Sequence, residues 1–122
     1  MRRLILIAVA ATTSACGGAT STSSTAPTTP TTPGTSTPVS TTSVSMLNVA
    51  FTPASIQVVA AAVVTFTNND AITHNVTFEN TAIGTTGNYS SGAKTLTMPA
   101  VAGAYTYKCT IHPSMTGTVT VK

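Results

Sequence analysis

The segment Cys109-Thr110-Ile111-His112-Pro113-Ser114-Met115 spaces a thiol, an imidazole and a thioether three residues apart. The other histidine of the chain, His74, lies upstream beside Asn75. One Cys, two His and one Met are the donors of a copper site in which His₂Cys forms a trigonal plane and Met makes a long axial bond. Soft sulfur suits Cu(I), and imidazole suits both oxidation states. Such a set can keep copper while a single electron comes and goes.

These residues need a particular frame. Tyr105, Tyr107 and Cys109 alternate with Thr106 and Lys108, so they share one face of a strand. Lysine belongs outside, which makes the tyrosine face the core and ends the strand with Cys109 pointing inward. Three residues make one tight turn back to His112, and three more bring Met115 over the same point. Pro113 fixes φ and stiffens that turn. His74 comes from another strand, with Asn75 and Thr110 placed to brace the two ligand segments against each other.

The rest of the chain supplies short strands. Leu47–Phe51, Ser55–Val59, Val63–Thr67, His74–Phe78, Lys94–Met98, Ala104–Cys109 and Thr116–Val121 are rich in β-branched and aromatic residues. Val64 and Phe66 share a face. Pro53 and Ala60–Ala62 separate strands, Asn68-Asn69-Asp70 is a turn, and Asn80 to Gly92 is a long polar loop dotted with glycine. Nothing of helical period competes. The pattern predicts an all-β sandwich over residues 45–122, small but sufficient for one core.

Before that domain the composition changes. Residues 16–44 are mostly Thr, Ser and Pro beyond Ala19, and bury too little surface to offset the entropy of ordering. They read as an extended tether. Residues 1–15 read as an export signal: basic Arg2-Arg3, an apolar run from Leu4 to Ala11, then small residues. The run is too short to span a bilayer. Ser14-Ala15-Cys16-Gly17 resembles a bacterial lipoprotein junction, with Cys16 the lipidated residue. Thr13 stands where that pattern usually has Leu. The expected location is therefore outside the cytoplasm, in a periplasm or at a cell surface, with the membrane reached only through the lipid. Lipidation of Cys16 would leave Cys109 without a disulfide partner, and metal binding explains how a lone exported thiol escapes oxidation.

Only 6% of the residues are charged, which excludes a nucleic-acid-binding face. Without Arg2 and Arg3 the balance is Lys94, Lys108 and Lys122 against Asp70 and Glu79. No carboxylate pair or Ser/His/Asp arrangement suggests hydrolysis, and a second catalytic copper would need histidines beyond the two present. A thioether is a poor zinc ligand. An enzyme is therefore not expected.

The Tyr105-x-Tyr107-x-Cys109-x₂-His112-Pro113-x-Met115 segment, Asn68-Asn69-Asp70 with His74-Asn75, and Phe51-x-Pro53 together resemble the cupredoxins. The short C-x₂-H-x₂-M loop is most similar to the amicyanin and pseudoazurin group. The resemblance covers nearly all of residues 47–122. It implies a Greek-key cupredoxin β-sandwich in a short version, with one strand missing or rudimentary. It also implies one type 1 copper held by His74, Cys109, His112 and axial Met115. His112 would emerge through an apolar rim, for which Ile111, Pro113, Pro53 and Ala71 are candidates, and redox proteins would dock there. A monomer that carries single electrons is expected. The alternative is a carrier or scavenger that hands copper on, which would favour Cu(I) and exchange metal readily. A structural surface domain without metal is the third class.

Overall fold

The computed structural model describes residues 37–122, and all regular structure among them is strand. The predicted signal, most of the tether and Cys16 lie outside the described residues. Nine strands run in chain order: β1 Val39–Ser40, β2 Ser43–Leu47, β3 Ala50–Thr52, β4 Ser55–Val58, β5 Val63–Asn68, β6 Thr77–Phe78, β7 Gly92–Thr97, β8 Gly103–Lys108 and β9 Thr116–Val121. They form two sheets, one in the order β1-β4-β9-β8-β6 and the other β3-β2-β5-β7. Both are mixed, because β4 runs parallel to β9 and β2 parallel to β5. This is the expected all-β sandwich.

Alternation builds the core. In β5, Val64, Phe66 and Asn68 are buried while Val63, Thr65 and Thr67 face outward to varying degrees. In β8 Tyr107 is buried and Thr106 and Lys108 are exposed, as the lysine argument requires. The Tyr107 ring packs against Phe51, Phe66 and Phe78, with centroids 4.8, 5.4 and 5.1 Å away. It also lies over Gly117, its register partner on β9, where a Cβ would overlap the ring. Glycine at that position is what lets the aromatic cluster sit flush on β9.

Two boundaries differ from the sequence reading. The expected strand Leu47–Phe51 is a hairpin: β2 ends at Leu47, β3 starts at Ala50, and Asn48 and Val49 turn the chain with φ of 54° and 57°. Two consecutive left-handed residues match the twist of a two-residue hairpin. A β-branched residue rarely takes that conformation, so Val49 gave no turn signal. The second difference is at the N-terminal edge. Val39–Ser40 pairs with β4, and Val44 is buried in β2, so strands already form within the stretch read as tether. Their pairing is supplied by distant strands, which composition alone does not show.

Smaller differences follow the same logic. His74–Phe78 is a full strand only at Thr77–Phe78, and His74 itself makes an isolated bridge to Tyr89. The two-residue β6 lies on the edge of its sheet.

Candidate metal centre

One end of the sandwich gathers the ends of β5, β8 and β9 and the loops between them. Asn68 organises the first loop. It is buried, and its amide Nδ2 donates to the carbonyls of Ile72 and Tyr89, both at 2.9 Å. Its Oδ1 accepts the backbone N–H of Asp70 at 2.9 Å. The chain is thereby curled so that His74, fully buried, reaches the sandwich end. Backbone bonds between His74 and Tyr89 of 3.0 and 3.1 Å pin the histidine to the long loop.

The second loop closes on itself. Met115 N–H donates to the His112 carbonyl, and Cys109 N–H to the Met115 carbonyl, each at 2.9 Å. Cys109 and Met115 are buried, and His112 is half-buried. The turn predicted from the three-residue spacings is thus formed.

Asn75 joins the loops, as anticipated. Its Nδ2 donates to Thr110 Oγ1 at 2.8 Å and to Asn88 Oδ1 at 2.9 Å. Its Oδ1 accepts the Thr110 N–H at 3.0 Å and the Thr77 hydroxyl at 3.2 Å. A buried amide with this many partners rigidifies the segments it spans.

The donor atoms then meet. Cys109 Sγ lies 3.9 Å from His74 Nδ1 and 3.7 Å from His112 Nδ1, and the two nitrogens are 3.1 Å apart. The imidazole rings stand edge to face with centroids 4.9 Å apart. Sequence reasoning did not anticipate the partner of the other His74 nitrogen. Nε2 lies 3.1 Å from Asp70 Oδ2. Asp70 was read only as part of a turn, although an acid four residues before the histidine, in a chain with two acids, was the available signal.

The electrostatics suit a soft cation. The Val49 backbone N–H, then the His74 imidazole, hold the Asp70 carboxyl below its usual range. Burial would raise the Cys109 thiol, but the Asn75 backbone and the adjacent His74 and His112 outweigh it and bring the thiol from 9.0 down to about 7. Burial would lower His74, but Cys109 and Asp70 outweigh it and its pKa is raised. An ionised carboxylate can only accept, so His74 in its neutral form donates from Nε2 and turns a lone pair on Nδ1 inward. A thiolate and imidazole lone pairs converging in a largely buried triangle fit a cation better than they fit each other.

A thiol with a depressed folded pKa stabilises the fold fully above its unfolded pKa, and loses that contribution as pH falls through the folded value. In the metal-free domain, the ultraviolet thiolate absorbance is expected to titrate near pH 7. The part of stability due to the thiolate should grow from about pH 7 to pH 9. A midpoint above 8.5, the ordinary thiol range, would show that these neighbours do not stabilise the thiolate.

A family model described as copper binding proteins, plastocyanin/azurin family, matches residues 38–122. The chain belongs to this copper-binding family and is a cupredoxin. Among solved structures, this cupredoxin is similar to the reduced state of an amicyanin variant, at 30% identity and TM-score 0.59, with 66% of this chain and 80% of that one covered. A second amicyanin variant, in a reduced Cu(I) form at pH 4, matches at 30% identity and TM-score 0.60 with the same coverage. A purple cupredoxin from Nitrosopumilus maritimus shares the fold at 21% identity and TM-score 0.56, covering 66% of this chain and 98% of that one. A search of curated proteins gave no significant match. The cofactor of this cupredoxin is copper; the donor atoms of His74, Cys109 and His112 stand together, and Met115 is buried in the loop that carries Cys109 and His112.

Proposed function

We propose that this cupredoxin is a one-electron carrier outside the cytoplasm, with His74, Cys109, His112 and Met115 as the ligands of its copper. Copper supplies the one-electron chemistry when bound. The chain supplies the rest. Cys109 and His74 give buried donors whose approach is set by backbone bonds, and His112 gives the donor nearest solvent. The carrying observation is that three donors from two loops converge within 3.9 Å on a hydrogen-bonded frame. A frame that needs little rearrangement favours rapid electron exchange over metal release.

The docking face follows from the same end. Ile72 and Ile111, 42% and 43% exposed, flank the segments that carry the two histidines. Leu47 and Val49 are also exposed, on the turn whose Val49 N–H bonds Asp70. Ala71 and Pro113 are exposed, whereas Pro53 is half-buried. A redox partner with an apolar patch would cover these residues and approach His112, and steering by charge would contribute little. Export and a lipid at Cys16 remain part of the reading and rest on the N-terminal sequence. Among the described residues no helix is long and apolar enough to cross a membrane.

The test is repeated redox cycling of the copper-loaded protein in the presence of a Cu(I) chelator. An electron carrier is expected to return to full visible colour on each oxidation, with no copper lost to the chelator. Transfer of metal to the chelator on first reduction would overturn the reading in favour of a copper carrier.

A further inference from the structure

Resting on the type 1 copper reading, we propose that Asp70 is a positioning residue that aims His74 at the metal and holds the reduction potential down. The argument starts from the two nitrogens of His74. One faces Cys109 and His112, and the other faces Asp70 Oδ2 at 3.1 Å, with the imidazole fully buried. Buried imidazole has no water to choose its tautomer, so Asp70 makes the choice. An acceptor at Nε2 puts the proton there and leaves Nδ1 free for a metal.

Asp70 is itself held. Oδ2 also accepts the Val49 N–H at 2.9 Å, Oδ1 accepts the Ala71 N–H at 3.2 Å, and Asp70's own N–H donates to Asn68 Oδ1. The contact to Val49 comes from a different strand pair, at a β-branched residue with φ of 57°. A conformation of that kind persists only where surroundings fix it. The carboxylate therefore ties the β2–β3 turn, the Asn68 loop and His74 together at one oxygen. It also adds a negative charge behind a copper ligand, which favours Cu(II) over Cu(I). An apolar or neutral residue at this position would lack that bias.

The experiment compares the wild-type domain with Asp70→Asn and Asp70→Ala in two states. In the metal-free proteins, nitrogen-15 NMR of labelled histidine reads the tautomer of His74. It should be Nε2–H in the wild type and in Asp70→Asn, whose amide oxygen still accepts, and mixed in Asp70→Ala. In the copper-loaded proteins, potentiometric titration reads the couple. Asp70→Asn should shift the Cu(II)/Cu(I) equilibrium about tenfold toward Cu(I), which for one electron is a rise of about 59 mV. A merely structural Asp70 would lower thermal stability and move neither readout. An unchanged tautomer in Asp70→Ala, or a potential in Asp70→Asn that stays put or falls, overturns the proposal. If the wild type takes up copper without a thiolate-to-copper band, the copper reading has failed instead, and the metal-free tautomer still reports on Asp70.

Discussion

Cys109→Ser is expected to abolish the intense visible band of the copper-loaded protein while leaving the domain folded. That band requires a thiolate bound to Cu(II), and serine offers neither a soft donor nor an anion at neutral pH. Sulfur here is fully buried, 3.9 Å from His74 Nδ1 and 3.7 Å from His112 Nδ1. A hydroxyl is close in size and can donate to an imidazole nitrogen there, so the strand end and the turn to Met115 should survive. Loss of a ligand should reduce copper affinity by more than the roughly 10–100-fold that removal of an outer partner costs. Cu(I) should suffer most, because the remaining imidazoles are harder donors. The measurements are the visible spectrum after Cu(II) addition, and circular dichroism to confirm the fold. A strong band that survives the substitution would mean that Cys109 is not the copper thiolate.

How much of this was legible in the sequence depends on the range of the interaction involved. Alternation in Tyr105–Cys109 and Val63–Asn68 depends on nothing beyond the strand itself, and it correctly oriented Tyr107, Cys109, Val64 and Phe66. The spacing from Cys109 to Met115 encodes a local turn, and the turn is present. The Asn75–Thr110 brace was legible because an amide next to a ligand has few other uses. What escaped depends on distant partners. β1 and β2 arise in Thr/Ser-rich sequence because β4 and β5 pair with them in parallel. The turn at Asn48-Val49 is hidden by a valine that the hairpin forces to positive φ. Asp70 looked like turn chemistry because its N–H does join an Asn68 turn, while its carboxylate serves two residues outside that turn. Side chains with both a local and a remote partner are read by the local one.

Asn75→Ala is expected to be the most damaging change outside the ligands. Its amide makes four hydrogen bonds, to Thr110 twice, to Asn88 and to Thr77. Truncation leaves the Thr110 N–H facing a void, and strips the only side-chain link between the His74 and Cys109 segments among the described residues apart from the donor cluster itself. With the residue 3% exposed, water reaches the gap poorly. Leaving buried groups unpaired at this point should cost roughly 2–3 kcal/mol of stability. Copper affinity should fall roughly 10–100-fold, since the loops that present Cys109 and His74 could then separate. Thr110→Ala should cost less, because the backbone bond to Asn75 Oδ1 remains. The two changes together should cost less than their sum, by at least about 0.5 kcal/mol, as expected of directly bonded partners. Thermal unfolding and copper competition on the four proteins of this cycle measure both quantities. Strict additivity, or an Asn75→Ala protein that binds copper as tightly as the wild type, would show that the donor cluster holds its geometry without the brace.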